Sequence, residues 1–412
     1  MLKIISASDR RALDKVLDAD PGSDAALSRR VAAIVADVRR GGDRAVAAYA
    51  KRFDRLEGAI EVTPREMESG ARSAAPAVRK AIAAAARHIR RVARTQVPRT
   101  SRLTVAPGLI VEQRVTPIGR VGCYVPGGRY PLPSSLLMTA IPARVAGVDE
   151  VIVCCPRPDA TVMAAAVEAG VTRLFRLGGA HAVAAMAYGT ASVPRVDKIV
   201  GPGNAYVAAA KALVAKDCGI DFYAGPSEIV IVSRNGNPAW IAADLLAQAE
   251  HDIDARAILI TSSRRLATAV HRQVEAQAPS DGPARDALRR RGAIVLTRNE
   301  RESIALANRL APEHLVVDDS DTATQMNTAG TIFVGPWSAQ AAGDYATGSN
   351  HVLPTSGAAR FRGGLSAADF VRVASVQTLS RTALTSLAAT VITLAEAEGL
   401  TGHAQSIRVR ME

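Results

Sequence analysis

From Arg120 onward, short apolar runs of strand type alternate with helical segments, and no other property of the chain restricts its fold as tightly. Runs at 121–125, 150–155, 174–177 and 198–200 are read as strands, as are 229–232, 257–261, 293–296, 315–317 and 331–334. Helices at 134–146 and 160–169 fill the first gaps, and helical patterns fill most of the others. This rhythm builds parallel strands joined by helical crossovers, with both sheet faces covered. The runs outnumber what one modest sheet needs, so two α/β domains are expected.

The N-terminal part reads differently. Apolar residues at helical spacing predict helices over 25–38, ending at Gly41-Gly42, and over 77–97, closed by Pro98. A hairpin is expected at 103–106 and 109–115, around Pro107-Gly108. The last long helix is read over 378–398, ahead of a short tail at 406–410.

Composition narrows the class. A chain of 412 residues has room for two or more cores, and 48% hydrophobic with 22% charged residues is ordinary for a globular protein. No apolar run approaches the roughly 20 residues that span a bilayer, and the N-terminal residues lack the apolar stretch of a signal peptide. A cytoplasmic protein without membrane contact is expected. Cys123, Cys154, Cys155 and Cys218 form no C-x-x-C pair, and neighbours in a strand point to opposite faces. They read as small buried apolar residues rather than disulfides or a thiolate zinc site.

The formal charge is +12. Residues 69–111 hold no acid but carry Arg72, Arg79, Lys80, Arg87, Arg90, Arg91, Arg94, Arg99 and Arg102. No aromatic residue interrupts this stretch, so it offers no stacking platform for a nucleic acid. A solvated helix face, or a surface for small anions, is the favoured reading.

Glycines cluster after three of the expected strands, at Pro126-Gly127-Gly128, Leu177-Gly178-Gly179 and Val200-Gly201-Pro202-Gly203-Asn204. Loops of this kind, leading into helices, let a ligand approach the backbone and suit phosphate, so a nucleotide is expected. The chain lacks the P-loop pattern, and no G-x-G-x-x-G occurs in these loops, so a dinucleotide would be held in a nonstandard way.

Polar runs supply the chemistry. Gln248 and His251 stand three apart in a helical run and share a face; alone, the pair reads as a helix C-terminal histidine beside a polar neighbour. Glu313-His314 follows Pro312, Gly343-Asp344-Tyr345 precedes Asn350-His351, and His403 lies near the end. Such residues are costly to bury unless they bind something. Together they suggest a metal or acid–base site assembled from separate segments.

The chain resembles the histidinol dehydrogenases from about Pro117 to its end, and more weakly before that. The resemblance rests on Val125-Pro-Gly-Gly128, Leu132-Pro-Ser-Ser135, Gly201-Pro-Gly-Asn204 and Ala224-Gly-Pro-Ser-Glu228. It continues in Ala247-Gln-Ala-Glu-His251, Pro312-Glu-His-Leu315, Gly343-Asp-Tyr345, Asn350-His-Val-Leu-Pro354 and Leu400-Thr-Gly-His403. It implies an NAD-dependent, two-step oxidation of L-histidinol through the aldehyde to L-histidine. It also implies two Rossmann-like, aldehyde-dehydrogenase-like domains: 31–113 with 224–350 carrying most zinc and substrate residues, and 114–223 binding the cofactor. A helical arm at 1–30 and a tail at 351–412, exchanged in a homodimer, complete the expected organisation.

By the same resemblance, Gln248, His251, Asp344 and His403 bind one zinc ion per subunit. Ser227, Glu313 and Glu398, with the zinc ligands, hold the substrate. Glu313 and His314 are the acid–base pair, while Tyr124, His181 and Asn204 contact NAD. His181 is a departure, because the family reads Gly-Gly-Ala-Gln-Ala where this chain has Gly178-Gly-Ala-His181-Ala. Two other readings compete. A paralogue could oxidise another alcohol, such as a sulfonated diol, but Ser227, Asp344, Glu398 and His403 favour histidinol. A basic nucleic-acid-binding protein would leave the His and carboxylate segments without a purpose.

Overall fold

The computed structural model describes residues 2–17, 25–127, 131–222 and 225–412; Gly128 of the first glycine loop and Ala224 of the Ala224–Glu228 stretch lie outside them. Two six-stranded sheets dominate. The first contains β2 (Glu61–Val62), β5 (Arg120–Tyr124), β6 (Glu150–Cys154), β7 (Arg173–Phe175), β8 (Lys198–Val200) and β9 (Gly219–Ile220), in the order β2-β7-β6-β5-β8-β9. All its pairings are parallel except β2 with β7. The second contains β1 (Lys3–Ser6), β10 (Glu228–Val232), β11 (Arg256–Thr261), β12 (Ala293–Leu296), β13 (His314–Val317) and β14 (Thr331–Val334). Its order is β1-β12-β11-β10-β13-β14, parallel throughout. A small antiparallel sheet of β3 (Ser101–Ala106), β4 (Leu109–Pro117) and β15 (Val371–Leu379) stands apart.

Strand periodicity sorts side chains onto two cores per sheet. On β6, Val151 and Val153 enter one core of the first sheet, while Ile152 and Cys154 enter the other. Cys155 lies on the face opposite Cys154, and all four cysteines are free and buried, as expected. Each apolar side chain buried this way contributes roughly 1.5–3 kcal/mol against exposure.

The mainly parallel α/β architecture expected from the sequence is present, but the grouping of residues 31–113 is corrected. The helices Ala25–Tyr49 and Pro76–Gln96 bury Val31, Val35, Ile82 and Ile89 against the first sheet, whereas the expectation joined them to the strands beyond 224. The N-terminal arm is not wholly helical either, since residues 3–6 extend the second sheet beside β12.

The first of these helices ends at Gly41-Gly42 as expected: Gly42 takes φ 52° and ψ −136°, outside helical geometry, and a second helical stretch continues to Tyr49 with Val46 buried in the same core. The last long helix begins later than expected. Thr378 and Leu379 pair with Ile110 and Leu109 in a ladder, and the Ser380 side chain then caps the helix Arg381–Ala397 at Ala383 N. The expected short tail at 406–410 falls mostly in a further helix, Thr401–Arg408.

Candidate active site and cofactor cleft

β10 and β13 are neighbours, and both begin with polar residues. Pro312 ends the preceding segment, so Glu313 and His314 enter at the N-terminal end of β13, beside Ser227 and Glu228 at the start of β10. Glu313 Oε2 accepts from Ser227 Oγ at 2.6 Å and from Glu228 N at 2.8 Å. Ser227 Oγ in turn accepts from Gln248 Nε2 at 2.7 Å. That bond fixes which way the Gln248 amide faces, and it leaves Oε1 buried without a partner. A buried carbonyl oxygen in that state carries a desolvation cost of about 1–3 kcal/mol unless something binds it.

His314 shows the same pattern. Its Nδ1 lies 3.1 Å from the Glu228 carbonyl, which can only accept, so Nδ1 carries a hydrogen and the neutral ring keeps its lone pair on Nε2. Nε2 is buried, makes no hydrogen bond among the described residues, and faces Asp344 Oδ1 at 3.5 Å. Burial alone would lower this imidazole. The Glu313 and Asp344 carboxylates and the Glu228 carbonyl outweigh it and lift the pKa to about 9. A cation held by Asp344 would cancel part of that field and bring the ring back toward neutrality. Burial pushes the Glu313 carboxyl up.

Asp344 comes from the helix Gln340–Tyr345. Its Oδ2 accepts from Gln340 Nε2, and its backbone carbonyl faces His351 Nδ1 at 2.9 Å. Burial would raise its carboxyl, but His314, His351 and His251 hold it below the ordinary value. His251 is exposed at the end of the helix Pro238–Ala249. Its Nδ1 faces the Ala247 and Gln248 carbonyls at 3.1 and 3.2 Å, which leaves Nε2 for a ligand. An orphaned amide oxygen, an imidazole with its tautomer set by backbone and a carboxylate steadied by a glutamine make a donor set that fits zinc.

Within one chain this set is incomplete. Among the described residues no cluster of three His, Cys, Asp or Glu residues could hold a metal. His403 is exposed on Thr401–Arg408, and Glu398 is the exposed residue closing Arg381–Ala397. The structure therefore gathers Ser227, Gln248, His251, Glu313, His314 and Asp344, and leaves Glu398 and His403 apart. Sequence reasoning assigned no role to Glu228 or Gln340. Both act through neighbours, and Glu228 does so through its backbone, which leaves no signal in residue type.

The second region lies at the C-terminal ends of the first sheet's strands. Successive connections leave β5 in opposite directions, toward β6 and toward β8, and such switch points hold ligands in open parallel sheets. Tyr124 ends β5, and its hydroxyl accepts from Gly179 N at 3.0 Å. Gly201, at φ 115°, follows β8, and a Cβ there would strike the Tyr124 carbonyl oxygen. Asn204 caps the helix Ala205–Val214, its Oδ1 accepting from Tyr206 N and Val207 N at 3.1 and 3.2 Å. Its amide nitrogen makes no bond among the described residues. Tyr124, Gly179, Gly201 and Asn204 suit a dinucleotide lying across the strand ends. His181 is buried behind them, with Nε2 2.8 Å from Asp54 Oδ2.

Comparison with known proteins agrees with this geometry. The family model described as histidinol dehydrogenase matches residues 19–411. A histidinol dehydrogenase of Geobacter sulfurreducens is 46% identical, with 92% of each chain covered. One from Methanosarcina mazei is 45% identical over 92% of this chain and 91% of its own. The crystal structure of histidinol dehydrogenase from Elizabethkingia anophelis superposes with a TM-score of 0.93 at 30% identity, covering 100% of this chain and 98% of that one.

Proposed function

The chain belongs to the histidinol dehydrogenase family, and from that premise we infer that it oxidises L-histidinol through histidinaldehyde to L-histidine. It is an NAD-dependent oxidoreductase of histidine biosynthesis. The observation that supports the reading most is the pair of buried atoms left without a hydrogen-bond partner, Gln248 Oε1 and His314 Nε2, at the two ends of one hydrogen-bonded chain.

Gln248, His251 and Asp344, with His403 of the partner subunit, would hold zinc, which would supply an anchor for the substrate's imidazole and amine, and NAD bound at the cleft would supply the hydride acceptor. His314 Nε2 takes the hydroxyl proton in the first oxidation, and the carboxylates around the ring stabilise the imidazolium that forms. The aldehyde must be hydrated before a second hydride can leave. Glu313 Oε2 already holds two donors, so Oε1 is the oxygen left to draw a proton from water, and burial makes that carboxylate the stronger base. Tyr124 and Asn204 face the cofactor. The test is stoichiometry: about two NADH per histidinol, with histidine as product. Release of free aldehyde with one NADH would overturn the reading.

We read the working unit as a homodimer with exchanged C-terminal arms, in the cytoplasm. The arm leaves Leu394, Leu400 and Val409 at 59%, 43% and 49% exposure, apolar surface that a second copy could cover. His251→Ala and His403→Ala chains, each inactive alone, should regain activity when refolded together, because one site of the mixed dimer carries no lesion. Heterodimers that stay inactive would assign His403 to its own chain. Among the described residues no helix is long and apolar enough to cross a membrane.

A further inference from the structure

In two of the cofactor cleft's glycine loops the first glycine amide is already taken. Gly178 N donates to Asp54 Oδ2 at 3.0 Å, and Gly201 N donates to Asp221 Oδ2 at 2.7 Å. In a phosphate-cradling loop such amides point at the ligand. Here each meets a carboxylate of the protein itself, and each carboxylate is buried against a basic side chain on the helix that its loop begins. His181, on Gly179–Tyr188, faces Asp54 through Nε2. Lys211, on Ala205–Val214, pairs with Asp221, the two side chains being 2% and 0% exposed.

The second pair grips one residue, Gly201, at both its amide and its carbonyl. Lys211 Nζ donates to the Gly201 carbonyl at 3.0 Å, while Asp221 takes the Gly201 amide. Asp221 Oδ1 also accepts from Phe222 N at 2.7 Å, so every strong partner of this buried charge is in place. The first pair works at longer range. Tyr49 stacks on the His181 ring at 6.0 Å and Phe53 lies tilted to it at 6.2 Å, fastening the chain around the end of the Ala25–Tyr49 helical run to the loop. Buried ion pairs seldom stabilise a fold more than apolar residues of the same size would. An ion pair at one loop and a histidine–carboxylate contact at its equivalent, each set on a glycine amide, call for another purpose.

We propose that Asp54 and Asp221, with His181 and Lys211, are positioning residues for the dinucleotide: internal anions that set the glycine loops in place of a bound phosphate. The inference rests on the reading of this cleft as the NAD site. On this view the loops are rigid before the cofactor arrives, and its phosphates are held by other groups. His181 acts through Asp54 and does not touch the cofactor, so the ring can stand where the family carries an amide.

The test uses Asp54→Asn, the paired Lys211→Met/Asp221→Asn change, Lys211→Arg and His181→Gln in the full-length zinc-loaded enzyme. NAD binding is measured by calorimetry without histidinol, alongside steady-state kinetics, zinc content and amide hydrogen exchange at residues 178 and 201. Asp54→Asn and the paired change should weaken NAD binding about tenfold, the worth of one misplaced hydrogen bond. KM for NAD should rise in parallel, kcat should change little, and zinc content and KM for histidinol should hold. Both loop amides should exchange faster. His181→Gln, which still offers Asp54 a donor, and Lys211→Arg should keep most of the affinity. Unchanged affinity in folded variants would make the pairs merely structural. Tighter binding would mean that the carboxylates compete with the phosphates. Either result overturns the proposal. Should the paired variant fail to fold, Asp54→Asn and His181→Gln decide alone. A wild-type enzyme that binds NAD but leaves histidinol untouched would sink the functional reading and leave this comparison standing.

Discussion

The two parallel sheets repeat one strand order, yet they present their polar groups at opposite ends and in opposite states. In the first sheet the functional end is the C-terminal one, where the glycine amides at 178, 179 and 201 are satisfied by Asp54, Tyr124 and Asp221. In the second sheet the corresponding end is closed. Asp318 Oδ2, after β13, accepts from Arg234 N and Asn235 N, after β10, at 2.7 and 3.2 Å. Its chemistry sits at the N-terminal ends of the same two strands, and there Gln248 Oε1 and His314 Nε2 stay open. One region is finished by the chain itself, while the other is built to be finished by atoms from outside. A loosely held, exchangeable cofactor suits the first condition, and a resident ion and its substrate suit the second.

The contrast breaks most sharply at the open region. His251→Ala or Asp344→Ala should remove zinc and lower activity by about 10³-fold or more, while NAD affinity stays near wild type. Metal analysis beside NAD calorimetry checks both halves. Full activity in a metal-free preparation, or loss of NAD binding with the zinc, would show that the two regions are not separate.

The two bases sharpen the comparison further. His314→Asn should slow both oxidations by about 10²–10⁴-fold, the usual worth of a positioned base. Glu313→Gln should impair supplied histidinaldehyde more than histidinol, because only the second step needs an activated water. Half-reactions followed by NADH absorbance separate the two. Equal losses for both substrates in both variants would mean that the roles are wrongly divided.

What the sequence disclosed follows the same division. The alternation after Arg120 carried the parallel architecture because strands buried on both faces need continuous apolar runs. Gln248, Glu313, His314 and Asp344 stood out because such side chains have few reasons to be buried, and His251 because it shares a helix face with Gln248. The sequence did not disclose Asp54 or Asp221, since a carboxylate in a loop looks the same whether it meets solvent or a glycine amide far along the chain. The helix end at Gly41-Gly42 was legible, but not that a second helical stretch follows it at once, because that depends on Val46 finding the same core. β15 was missed for a related reason: its partner β4 lies some 260 positions earlier, at a register that pairs Leu379 with Leu109. Its residues are exposed except for the half-buried Val371 and Val376, so no buried face marks them.

The smallest effect comes from a third strained group near the open region. Asp244 lies on the helix Pro238–Ala249, one turn before Gln248, and burial raises its carboxyl to about 6. A group whose folded pKa lies above its unfolded value adds stability that is fully present below the unfolded value, near 4, and is lost as pH rises through the folded one. Above pH 7 the fold therefore holds an ionised carboxylate that it would rather keep neutral. Asp244→Asn should relieve that cost by about 1–2 kcal/mol at pH 7.5, allowing for partial solvation, and should gain almost nothing at pH 4. Denaturant unfolding of wild type and variant at both values, with chelator present so that zinc does not contribute, measures the difference. If the gain is the same at both pH values, Asp244 is not held above its ordinary range. If it is absent at both, a cation or the exchanged arm of a second chain already neutralises this carboxylate, and the open region is more nearly complete than one chain shows.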